Sequence, residues 1–165
     1  MTLVAEPVVR ERAAARPFRF GPGVLGRLSA FRGRCTVVRL ASASNERLRV
    51  PRWYTLAEAW AEPGTAAAAQ WSRNPVIDVD PSDAPDLVLA TGTPVVVIGA
   101  DIATAPWQRA VVEAVRASCA RVLVVEVAAS PASVPMHLHG YADIETFGHD
   151  RDRGAQLLAL LSAPS

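Results

Sequence analysis

Residues able to do chemistry are few in this chain. Asp101 follows the apolar run Pro94-Val-Val-Val-Ile-Gly99, where a carboxylate could accept a sugar hydroxyl or act as a base. Such an Asp more commonly accepts loop N–H groups. Glu126 closes a second apolar run, Arg121-Val-Leu-Val-Val-Glu126. A carboxylate there is either tuned for proton transfer or bonded to a neighbouring loop, and the second reading is preferred because buried charges are normally paired. His137-Leu-His139 puts two imidazoles on one side of an extended segment, and Asp101 could complete a set of metal ligands. Two histidines at that spacing do not define a metal site, and none is assigned. Trp53, in Val50-Pro-Arg-Trp-Tyr54, is the tryptophan best suited to stack on a sugar from the surface, whereas Trp107 reads as core. Gly99-Ala-Asp101 is not a dinucleotide fingerprint, and neither a phosphate-binding loop nor a Gly-x-Ser-x-Gly nucleophile turn is present. No cofactor and no catalytic residue is therefore assigned.

These residues need elements to hold them. Pro94–Gly99 and Arg121–Val127 are continuous β-branched runs, the pattern of strands buried on both faces of a sheet. Between them, Ala105–Cys119 has helical spacing at Trp107, Ala110, Val111, Ala114, Val115 and Ser118, with Thr104 as the expected N-cap and Pro106 in the first turn. Strand, helix and strand in that order make a βαβ unit with parallel pairing. Cys35–Leu40 and Val76–Val79 read as further strands, and Asp143–Phe147 as another ahead of a closing helix from Arg151 to about Leu161, which Asp150 can cap. Thr55-Leu-Ala-Glu58 has the form of a capping box opening a helix that Pro63-Gly64 stops, and Ala66–Trp71 adds a short helical piece. The expected fold is a three-layer α/β/α sandwich with a mainly parallel sheet over residues 35–165. Ligands of such sheets bind beyond the carboxyl ends of the strands, here the loops starting at Ala41, Ala100 and Ala128. Residues 1–34, rich in Pro, Gly and Arg, read as an irregular arm or linker with a short helix near Val24–Phe31.

Composition narrows the function classes. The chain has 165 residues, is 50% hydrophobic and carries a formal net charge of +1, which excludes disorder of the whole and fits one domain with a real core. Every basic residue other than histidine is Arg. Residues 1–52 hold 11 Arg against 3 acids, and residues 53–165 hold 6 Arg against 13 acids. The basic excess invites a nucleic-acid reading. No helix-turn-helix, zinc-finger or RNP-like pattern accompanies it, so it is read as a solvated surface and no nucleic-acid partner is expected. Leu87–Ala100 is too short and too broken to span a bilayer, and Met1–Pro17 lacks a signal-peptide core, so no membrane association and a cytoplasmic location are expected. Cys35 and Cys119 have no metal-type spacing and read as two buried thiols.

Three segments carry a family resemblance. Thr93–Asp101, then Ala105-Pro-Trp-Gln-Arg-Ala-Val-Val-Glu-Ala-Val115, then Arg121–Glu126 resemble the C-terminal domain of glycoside hydrolase family 3, in particular its bacterial β-N-acetylhexosaminidase branch. Gly140-Tyr-Ala-Asp-Ile-Glu-Thr-Phe-Gly148 is similar to that domain's next strand and turn, and Val37–Leu40 with Asn45 and Pro51-Arg-Trp53 to its first strand and Pro-Trp segment. The match runs in order over about residues 35–163.

The resemblance implies an α/β domain that accompanies a catalytic TIM barrel, with residues 1–34 as the tether to it. In those enzymes the nucleophilic Asp and the His-Asp acid/base pair lie on the barrel. A barrel needs about 200 residues or more, far beyond what precedes Cys35, so no catalytic residue is carried over. Other members lend an acid/base Glu from this domain, but no motif maps it onto Glu126 or Glu145. The loop from Ala128 to His139, with His137 and His139, departs from the family's pattern. The expectation is thus a stand-alone or truncated module, non-catalytic by itself, with a structural, docking or carbohydrate-associated role. Its partners would be a barrel-domain protein, a second copy or a carbohydrate. Two alternatives stand beside it: the C-terminal part of a β-N-acetylhexosaminidase active only with its barrel, and an unrelated flavodoxin-like small-molecule-binding module.

Overall fold

A computed structural model of the chain describes residues 18–42, 66–82, 89, 92–100, 102–128, 139–147 and 151–162. The β-branched runs form strands, since branched side chains pack well on a pleated, buried surface. These are β2 (Thr36–Leu40), β3 (Val76–Val79), β4 (Val95–Gly99), β5 (Val122–Ala128) and β6 (Ile144–Phe147), preceded by a short β1 (Phe18–Phe20). Helices are α1 (Val24–Arg27), continued by a 3₁₀ turn over Leu28–Phe31, then α2 (Ala66–Trp71), α3 (Pro106–Ser118) and α4 (Arg151–Ser162). The six strands make one sheet in the order β1-β6-β5-β4-β2-β3. All neighbours are parallel except β1, which runs antiparallel along β6.

Alternation along the central strands divides the core in two. Val96, Ile98, Leu123 and Val125 face Val24, Leu28, Phe31, Trp71, Leu157, Leu158 and Leu161, beneath α1, α2 and α4. Val95, Val97, Val122 and Val124 face Val111, Val112 and Val115 of α3. Helices therefore cover both faces, and the three-layer mainly parallel sandwich is the observed architecture. Cys35 and Cys119 are free, buried, and belong to opposite faces of the sheet.

The arm expected over residues 1–34 joins the fold from residue 18 onward. Phe18, Val24, Leu28 and Phe31 are core residues, and Arg19 lies directly opposite Glu145, 3.0 Å from its carboxylate. A three-residue Phe-Arg-Phe strand is too short to display alternation. Its placement comes from the burial of Phe18 together with the cross-strand pair. At α3 the expected Thr104 cap is also corrected. The N-cap is Ala105, extended at φ −94 and ψ 110, with no side-chain cap. Its buried stripe is Gln108, Val111, Val112 and Val115, while Trp107 is half-buried and Ala110 and Ala114 are exposed. Alanines add little to burial on either face, so the valines set the rotation and bring Gln108 inside. The capping box at Thr55 and the Asp150 cap lie outside the described residues.

Candidate functional site

Numbered from β2, the five parallel strands follow the doubly wound order 2-1-3-4-5. The chain leaves β2 for β3 on one side and returns as β4 on the other, so the topological switch point falls between the carboxyl ends of β2 and β4. In this arrangement the crevice is filled by the chain itself. From the first turn of α3, Gln108 reaches across and donates Nε2–H to the Ala41 carbonyl at 2.8 Å. Ile102 packs beside it, fully buried. Gly99 makes room for both: a Cβ there would sit 2.7 Å from Gln108 Oε1 and 2.8 Å from Ile102 Cγ1. Among the described residues the buried Gln108 Oε1 has no hydrogen-bond partner; the Nε2 bond and the packing around it hold the side chain in place.

A polar row crosses the sheet at the same level. The register puts Gly99 of β4 beside Glu126 of β5, Glu126 beside Glu145 of β6, and Glu145 beside Arg19 of β1. Residues in register on parallel strands share a face, so the two carboxylates lie side by side. They are 3% and 2% exposed. Two like charges in that position are tolerated only if each is compensated locally. Glu126 Oε2 accepts the Ala103 N–H at 3.0 Å, which ties the β4–α3 loop to the end of β5. Glu145 Oε1 accepts the Gly140 N–H at 2.8 Å, and its other oxygen pairs with Arg19. The carboxylates thus serve as anchors for two loops and an edge strand.

Among the residues singled out from the sequence, Glu126 lies on this row, bonded to a neighbouring loop. Half-buried His139 lies in the turn that Glu145 holds through Gly140. Asp101, Trp53 and His137 lie outside the described residues. Among the described residues no group of three or more His, Cys, Asp or Glu side chains could hold a metal ion, and no helix is long and apolar enough to cross a membrane.

Sequence reasoning missed Gln108 and the Arg19–Glu145 pair. Gln108 does stand at helical spacing from Val111, Val112 and Val115, the one signal that could have exposed it. The Arg19 pair has no local signal, because its partners are far apart in the chain. A scan against protein-family models gives no match to this chain, and comparison with curated proteins gives none either.

Proposed function

We propose that this chain is a non-catalytic α/β module of the glycoside hydrolase family 3 C-terminal type, a cytoplasmic domain that docks beside a catalytic barrel and contributes to carbohydrate handling there. The observation that carries the non-catalytic reading is the compensation of Glu126 and Glu145. Both are buried at the sheet's carboxyl end and both accept backbone N–H groups. A general acid or base needs access to a substrate proton, and these carboxylates are turned inward. In support of the type, the resembling segments fall in chain order on β2, β4, α3, β5 and β6, and the specific Pro-Trp-Gln-Arg piece opens α3. Its glutamine is Gln108, which ties α3 to the end of β2.

Hydrolysis of a chromogenic N-acetylglucosaminide, measured on the chain alone and mixed with a hexosaminidase barrel, tests this. The expected result is no turnover by the chain alone and a stable complex with the barrel. Turnover by the 165 residues unaided would overturn the non-catalytic reading. Turnover only when the barrel is covalently continuous with the chain favours the C-terminal part of a complete β-N-acetylhexosaminidase.

The flavodoxin-like strand order favours a second reading, a small-molecule module using the switch point. Gln108 and Ile102 occupy that crevice, so tryptophan fluorescence is expected to stay flat on titration with N-acetylglucosamine alone. A saturable change would favour the second reading.

A further inference from the structure

The opposite, amino edge of the sheet carries a cleft of different chemistry. It has a volume of about 480 Å³ and is lined by Gly33 and Arg34, just before β2, and by Gln70, Arg73 and Asn74, at the turn from α2 into β3. Thr36 N–H donates to Pro94 O and Val37 N–H to Pro75 O, which fixes the two walls at one end of adjacent strands.

Several arginines among the described residues find acceptors. Arg19, Arg27, Arg39 and Arg116 pair with carboxylates, and Arg121 donates to the Gly92 carbonyl. Among the described residues, exposed Arg34 and Arg73 have no acceptor at the cleft and no carboxylate lines its walls. Two guanidinium groups on one concave surface repel each other unless an anion lies between them, and each offers a planar fork suited to phosphate oxygens.

Asn74 makes the cleft more than a charged surface. It is 8% exposed, and its Oδ1 accepts the Cys35 N–H at 3.2 Å. That bond fixes the amide orientation and leaves the Nδ2–H₂ group as the donor presented by this lining residue. Gln70 is fixed in turn by donating Nε2–H to the Arg32 carbonyl, which leaves its Oε1 to accept a proton-bearing oxygen.

We propose that this cleft binds the phosphate group of a small phosphate monoester. Arg34 and Arg73 neutralise its two charges, Asn74 Nδ2 donates to a third oxygen, and Gln70 Oε1 accepts from a hydroxyl on the esterified alcohol. The site is on the sheet edge remote from the polar row, and stands or falls independently of the barrel-docking reading.

Calorimetric titration of the full chain with inorganic phosphate, a hexose phosphate and the same hexose unphosphorylated tests it, at low and high salt. Both phosphates are expected to bind, the plain hexose not, and affinity to fall as salt rises. Arg34→Gln and Arg73→Gln should each weaken binding about 10-fold or more, the loss of one charge-assisted hydrogen bond. Neither arginine has a structural partner among the described residues, so both variants should melt with the parent. Failure of either phosphate to bind, equal binding of the plain hexose, or full affinity in both variants overturns the proposal. So does binding confined to a single-stranded oligonucleotide.

Discussion

Replacing Glu126 by Ala separates an anchoring carboxylate from a catalytic one. Its Oε2 accepts the N–H of Ala103 at 3.0 Å, and both residues are buried. Glu126→Ala removes a hydrogen bond to a charged acceptor and leaves the Ala103 N–H without its acceptor. Together these effects cost about 3 kcal/mol, since the two terms overlap and do not add in full. For 165 residues the unfolding entropy is about 0.35 kcal/mol/K, so the melting temperature should fall by about 9 °C. Glu126→Gln keeps a carbonyl oxygen for Ala103 and removes the charge, at a cost of about 1 kcal/mol or 3 °C. Differential scanning calorimetry at neutral pH, with urea unfolding as a check, reads both variants. The reasoning is refuted if Glu126→Ala melts within about 2 °C of the parent, or if Glu126→Gln is as damaging as Glu126→Ala. The first outcome would leave a buried carboxylate without a structural reason to be there. The second would locate its role in charge, as expected of a group acting on a ligand.

Three further outcomes follow from the packing. Gly99→Ala drives a Cβ into Gln108 and Ile102 at 2.7 and 2.8 Å; the overpacking should cost about 1–3 kcal/mol, seen as a lower urea midpoint with an unchanged slope. Burial raises the Cys35 thiol from its ordinary 9.0 to about 11. The unfolded chain therefore loses that proton first, and the thiol's contribution to stability should decline by about 2–3 kcal/mol as pH rises from 9 to 11, then level off. A Cys35→Ser variant should lack this slope in urea unfolding followed across that range. Asp143 accepts Val124 N–H at 2.8 Å and pairs with Arg27 at 2.7 Å, while its backbone N–H donates to Val124 O. Asp143→Ala should cost about 2–3 kcal/mol and Arg27→Ala under 1 kcal/mol, because exposed ion pairs contribute little. Equal melting shifts for the two would contradict this.

Much of the fold was legible in the residues because its signals are local. Pro94–Gly99 and Arg121–Val127 announce buried strands by uninterrupted branched side chains, and the helix between them leaves parallel pairing as the short solution. Even Val76–Val79 shows itself by composition. β1 did not, since three residues carry no periodicity, and the rotation of α3 did not, since alanines at 110 and 114 read as well inside as outside.

The site divides along the same line. Sequence alone determined that Glu126 lies in a buried strand and must find a partner, because an ionised carboxylate cannot be left bare in a core; the strand itself runs on to Ala128. It also determined the excess of arginine near the start. Tertiary structure decided what these residues meet: Ala103 for Glu126, Arg19 and Gly140 for Glu145, and a shared cleft for Arg34 and Arg73. The physical reason is range. Strand and helix propensity act over a few residues, whereas the register joining Gly99, Glu126, Glu145 and Arg19 links four strands spread over most of the chain. Only the assembled sheet brings them into one row.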